Sequence, residues 1–175
     1  MHIGIFGLSG AGKTTATKWL ACNNINYVAI SASQLIKEYG GVIEYEKLGK
    51  KCISSNQDAL VMAYEKFKST HPNTLIELHS IIESEHDVLD IDIRILRELD
   101  IDAAFFIAIE PHELGRRRRS DVTKKRKIVC DSELKALQLR AIDVCQAALG
   151  DKLRIVDSVF AAAEIEKFIA STSRP

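Results

Sequence analysis

The octapeptide Gly7-Leu8-Ser9-Gly10-Ala11-Gly12-Lys13-Thr14 satisfies G-x-x-x-x-G-K-[ST] at every constrained position and predicts a loop that wraps a phosphate. Glycines let consecutive amides turn inward around an anion, and the start of the following helix adds its positive end. On this reading Gly7, Ser9, Gly10, Ala11, Gly12, Lys13, Thr14 and Thr15 bind the nucleotide. Lys13 reaches the β and γ phosphates, and Thr14 sets its hydroxyl on Mg2+. The flanks agree. Ile3-Gly4-Ile5-Phe6 is a short apolar strand, and Thr15 to Cys22 carries Ala16, Trp19 and Leu20 at helical spacing.

Downstream, Asn26 to Ile30 reads as a second strand, and Ser31 or Ser33 caps a helix that Gly40-Gly41 stops. A further helix starts near Ser54 or Ser55 and runs through Phe67, and Pro72-Asn73 breaks the chain. Thr74 to Leu78 is a buried parallel strand carrying the acid Glu77, followed by a long polar loop up to Asp90 and a helix over Ile91 to Leu99. Ala103 to Ile109 is an almost wholly apolar strand, with Pro111 in the first turn of the next helix. Ser132 to Leu149 is a long helix ended by Gly150, Leu153 to Val156 a last strand and Ala161 to Ala170 a closing helix. Five strands separated by helices predict right-handed crossovers and a three-layer α/β/α fold around a five-stranded parallel sheet. The ligand then lies outside the carboxyl ends of the strands, where the loops after Phe6, Ile30, Leu78 and Ile109 converge.

At 175 residues the chain is long enough for one domain with its own core, so residues 1–175 are read as a single unit. Cys22, Cys52, Cys130 and Cys145 form no C-x-x-C pair and no zinc spacing, which argues against a disulfide framework or structural metal. With no leader pattern and no apolar run of about 18 residues, the expectation is a cytoplasmic protein without a membrane segment. Formal net charge is zero, yet Arg116 to Lys127 holds eight basic residues against Asp121, leaving 16 basic and 23 acidic residues elsewhere. A concentrated positive segment on an acidic body implies an anionic ligand.

A phosphate loop alone fixes nucleotide binding and not the reaction. No N-K-x-D-like guanine reader is present, and motor ATPases are larger chains. The basic run, set late between a strand–helix unit and another helix, reads as a lid over about 116–130, because phosphoryl transfer spreads charge that cations must meet once water is excluded. The alternatives are a solvated charge run or a nucleic-acid patch.

The order of these segments resembles adenylate kinases, particularly the archaeal type. The resemblance is carried by the phosphate loop, Glu77-Leu78-His79, Ile95 to Asp102 followed by Phe105 to Glu110, the basic run, and Gln138-Leu139-Arg140-Ala141. It implies a nucleoside monophosphate kinase that uses ATP and Mg2+, with small nucleotides as its partners and an acceptor-binding region over about 31–69. It also implies that Arg117 or Arg118 is an ATP-side lid arginine, that Lys124 and Arg126 grip phosphates, that Arg140 contacts the phosphates of both nucleotides, and that Asp121 and Thr123 belong to the short lid pattern. Glu77 is read as the acid that holds the Mg2+ water shell. Two departures stand out. The family's strand ends Asp-Thr-His where this chain has Glu77-Leu78-His79, and its acceptor-binding arginine, in a run like Arg-Lys-Leu, is replaced by Glu46-Lys47-Leu48. Either Lys47 takes over that phosphate, the alignment slips by a residue, or the acceptor is not AMP. Two further readings therefore stay open: an ATPase or nucleotide-dependent switch whose basic run binds RNA, and an interaction protein that binds nucleotide structurally. His79, Glu83 and His86 have one-face helical spacing but lack a third strong ligand, so no metal site is expected there. Trp19, Phe67, Phe105 and Phe106 are read as core.

Overall fold

An apolar run without polar alternation belongs at the centre of a sheet covered on both faces, and strand β1 (His2–Phe6) fills that place, with Ile3 to Phe6 all buried. The computed structural model describes residues 1–41, 43, 50–84, 87–122 and 128–172. Their order is β1, α1 (Lys13–Asn23), β2 (Val28–Ser31), α2 (Ala32–Glu38), α3 (Lys50–Thr70), β3 (Thr74–Glu77), β4 (Ile81–Glu83), β5 (Val88–Asp90), α4 (Ile93–Glu98), β6 (Ala103–Ala108), α5 (Pro111–Ser120), α6 (Asp131–Leu149), β7 (Leu153–Asp157) and α7 (Ala161–Thr172).

The five-stranded sheet runs β2-β3-β1-β6-β7, and each neighbouring pair is parallel. Helices cover both faces, with α1 packed beside α7, and α6 beside α4 and α5, which is the three-layer α/β/α architecture expected. The register sets Ile5 level with Glu77 on one side and with Phe105 on the other, so the ends of β3 and β6 flank the loop that leaves β1. Ser31 accepts from the Gln34 amide and caps α2, and Gly150, at φ 52°, closes α6.

Three expectations are corrected. The polar stretch after His79 is not a loop throughout: β4 and β5 form an antiparallel hairpin, closed by the Ser84 and Asp87 hydrogen bonds and pinned where Ile91 N–H donates to Ser80 O at 2.9 Å. Helix α3 starts at Lys50, earlier than Ser54. Trp19 is 42% exposed and outside the core, because the buried stripe of α1 is Lys13, Ala16, Thr17 and Leu20. Phe105 and Phe106 are buried as expected, and Phe67 is half-buried against the core, stacked on His71. No described helix is long and apolar enough to cross a membrane.

Candidate functional site

Helix α1 begins directly on the glycine loop. Its N-cap is Gly12, which has no side chain to satisfy the first amides, so they remain available to an anion. Gly7, Gly10 and Gly12 have φ of 147°, 94° and 102°, in the left-handed half of backbone space that only glycine enters without strain. Lys13 is buried, and its ammonium donates to Gly7 O at 2.7 Å and Leu8 O at 3.2 Å. The cation is thus held against the loop that a phosphate would enter.

Glu77, at the end of β3, reaches across to α1. The Thr14 hydroxyl donates to its Oε2 at 2.7 Å. The two residues read separately from sequence as Mg2+ contacts therefore meet, and a hydroxyl oxygen beside a carboxylate is a donor set that suits a hard divalent cation. Leu78 N–H donates to Ile5 O at 2.9 Å, extending the β1–β3 pairing up to the mouth of the loop.

The first half of the basic run is helical and belongs to α5, which lies on the loop. Leu114 Cδ1 and Arg118 Cγ stand 3.2 and 3.4 Å from where a Cβ on Gly10 would be, and Arg117 Nη1 stands 3.4 Å from the same point on Gly12. Arg117 Nε donates to Glu113 Oε1 at 2.8 Å, and Arg116 makes a two-bond fork to the same carboxylate at 2.7 and 2.8 Å. The Arg116 and then the Arg117 guanidinium hold the Glu113 carboxyl down at about 2. Arg118 turns inward, its side chain 3% exposed, and pairs with Glu83 of β4 through two bonds of 2.8 and 2.7 Å. Its Nε donates to Ser9 O at 2.9 Å.

Of the other expected site residues, Arg140 on α6 donates to Asp90 Oδ1 at 2.7 Å and Val88 O at 3.2 Å, which ties that helix to the hairpin. Gln138, two residues earlier, accepts from the Ile109 amide at 3.0 Å and fixes α6 to the rim beyond β6. Lys124, Arg126, Thr123, His86 and the run Glu46-Lys47-Leu48 lie outside the described residues. Among the described residues no group of three or more His, Cys, Asp or Glu could hold a metal ion.

Glu113, Glu83 and Asp90, which bind the arginines, were not read from the sequence as their partners. The first had a signal: Glu113 stands three and four residues before Arg116 and Arg117 on one helix, the spacing at which opposite charges meet. The other two are paired across 35 and 50 residues, which no local pattern displays.

Residues 6–135 match a family model described as an AAA domain. No curated protein matches the chain. Among solved structures it is similar to the shikimate kinase from Acinetobacter baumannii in complex with shikimate, at 16% identity and TM-score 0.64 over 99% of this chain and 95% of that one. It is similar also to a deoxyadenosine kinase from M. mycoides with bound products, at 13% identity and TM-score 0.61 over 99% and 100% of the two chains. A thymidylate kinase from Candida albicans aligns at 13% identity and TM-score 0.55 over 98% and 91%. At such identities the likeness is one of fold.

Proposed function

Because the chain belongs to the AAA domain family and presents a phosphate loop under an arginine-bearing helix, we propose that it is an ATP-dependent phosphotransferase acting on a small acceptor. The observation that carries this is the Thr14–Glu77 hydrogen bond of 2.7 Å at the mouth of the loop, where the motif hydroxyl and the acid of the neighbouring strand converge. An acceptor oxygen bonds to the γ phosphorus, the bond from that phosphorus to the β–γ bridging oxygen breaks, and ADP leaves.

In this reading Lys13 and the loop amides of Gly7, Ser9, Gly10, Ala11, Gly12, Thr14 and Thr15 hold the triphosphate. Thr14 and Glu77 hold Mg2+, which draws charge from the phosphates when bound. Arg117, aimed past Gly12, meets charge that develops on the moving group, and Lys124 and Arg126 join it from the lid over about 116–130. Arg140 contributes by exchanging Asp90 for a phosphate. The acceptor binds over about 31–69. The adenylate kinase resemblance makes it a nucleoside monophosphate, with AMP the first to test. The shikimate and deoxyadenosine kinases named among the structural neighbours add hydroxyl acceptors to the panel.

ADP release is followed with Mg2+ and ATP against nucleoside monophosphates, deoxyadenosine and shikimate. Release that requires one of these acceptors supports the reading. Equal release without acceptor makes the protein an ATPase, and nucleotide binding without release under any acceptor makes it a binding protein.

A further inference from the structure

Arg118 differs from its neighbours on α5 in being turned into the protein, where Arg116 and Arg117 stay at the surface. Three of its five N–H groups are used, one from each terminal nitrogen to Glu83 and the Nε–H to Ser9 O, and the guanidinium is enclosed. Burying a charge pair of this kind costs about as much desolvation as the attraction returns, so the pair is poor as a pure source of stability. What distinguishes it is the third bond, to the carbonyl of the phosphate loop.

A peptide unit is planar and trans, so its C=O and N–H point to opposite sides. With Ser9 O turned out to Arg118, the Gly10 N–H on the same peptide is turned the other way, to the inside of the loop. That amide makes no hydrogen bond among the described residues. The peptide is also packed from outside, since Leu114 and Arg118 lie against Gly10 where a Cβ would stand. We infer that Arg118, braced by Glu83, is a positioning residue that aims the Gly10 N–H at the phosphates of the bound nucleotide. The inference rests on the phosphate-loop reading above. It sets Arg118 apart from Arg117: one arginine shapes the loop and its neighbour meets the ligand.

The test compares wild type, Arg118→Lys and the double variant Glu83→Leu/Arg118→Met in melting temperature, MgATP affinity by calorimetry, and steady-state kinetics with an acceptor that supports turnover. The single change Arg118→Met is avoided because it leaves Glu83 buried and unpaired, whereas removing both charges together returns stability to about the wild-type level. Arg118→Lys keeps a charge for Glu83 but replaces a rigid fork by one ammonium, which cannot serve two carboxylate oxygens and Ser9 O together. The double variant is expected to melt near wild type, yet to bind MgATP about tenfold to a hundredfold more weakly, the size of one misdirected hydrogen bond to a charged group. Its KM for ATP rises by a similar factor while the acceptor KM stays put, and Arg118→Lys falls between. A double variant that melts, binds and turns over like wild type overturns the inference and leaves the phosphate-loop reading intact. So does an Arg118→Lys protein with unchanged ATP affinity, should the double variant not fold. Wild type that takes up no MgATP overturns both readings at once.

Discussion

Replacing Lys13 by alanine separates the chemistry of the loop from its folding. The ammonium is buried, and its contacts include hydrogen bonds to Gly7 O and Leu8 O. Each bond from a charged donor contributes about 1.5–3 kcal/mol, but the alanine variant no longer has to bury an ammonium, so the gross loss of about 3–6 kcal/mol is offset in large part. A net cost of about 1–3 kcal/mol follows, the range typical of single substitutions. For a chain of this size that lowers the melting temperature by about 2–4 °C per kcal/mol, and a domain stable by about 5–15 kcal/mol stays folded. Turnover is affected differently. Removing one preorganised charge from the reacting group costs about a hundredfold to a thousandfold in kcat. Thermal melts followed by circular dichroism give the first quantity, and coupled ADP release with a saturating acceptor gives the second. In wild type, MgATP at a hundred times its Kd adds about 2.7 kcal/mol to stability, and Lys13→Ala should lose most of that ligand-dependent rise in melting temperature. A folded Lys13→Ala protein whose turnover lies within threefold of wild type refutes the role given to this residue.

Glu77→Gln leaves an oxygen to accept from Thr14 but removes the negative charge; the Mg2+ concentration for half-maximal turnover should rise about tenfold to a hundredfold, and an unchanged Mg2+ titration removes Glu77 from the metal site. Glu113 is held far below the ordinary carboxylate value of about 4.3, so its contribution is complete above that pH and is lost only as the pH falls toward 2. Glu113→Gln should therefore raise the KM for ATP by loosening Arg117, while its pH–rate profile between pH 5 and 8 runs parallel to wild type; a changed profile in that window contradicts the assignment. Burial pushes the Cys145 thiol up to about 12, whereas Cys22 and Cys130 are exposed, so maleimide followed by mass spectrometry should label those two in the native protein and reach Cys145 only in denaturant. Arg116, Arg117 and Arg118 already have carboxylate partners, so at most five of the eight cations of the basic run can serve nucleic acid while those pairs hold. Any duplex binding should then weaken with a log–log salt slope no steeper than about −4.5, and a slope near −7 means that those ion pairs open for the phosphates.

The parts legible in the sequence are those whose cause is local. The glycine loop, the strand before it and the helix after it need only their own residues, and Glu77 could be placed because it closes an apolar strand of a parallel sheet. Trp19 was misplaced by a phase error of one residue: it stands three positions after Ala16, but Thr17 completes the stripe with Lys13, Ala16 and Leu20. The hairpin escaped notice because strands of three residues are too short to display a period of two. Its anchors are also remote, since Ser80 donates to Ala141 O at 2.7 Å and Asp90 receives Arg140.

The four consecutive arginines show the same limit and a way past it. Successive side chains on a helix are turned by about 100°, so Arg116 to Arg119 cannot share one target. Leu114 is buried against Gly10, and Arg118, four residues on, follows it onto that face. Glu113 lies one turn before Arg116 and Arg117 and takes both, leaving the Arg117 tip beside Gly12. Helical phase thus decides which arginine braces the loop and which one faces its mouth, while the identity of the brace, Glu83, depends on a hairpin that the helix itself does not encode. A run that composition presents as a single block of charge is divided by geometry into a strut to Glu83 and Ser9, a tip beside Gly12 and a bridge to Glu113, and under the proposed function the cation that meets a phosphate is selected by its angle on the helix more than by the number of its neighbours.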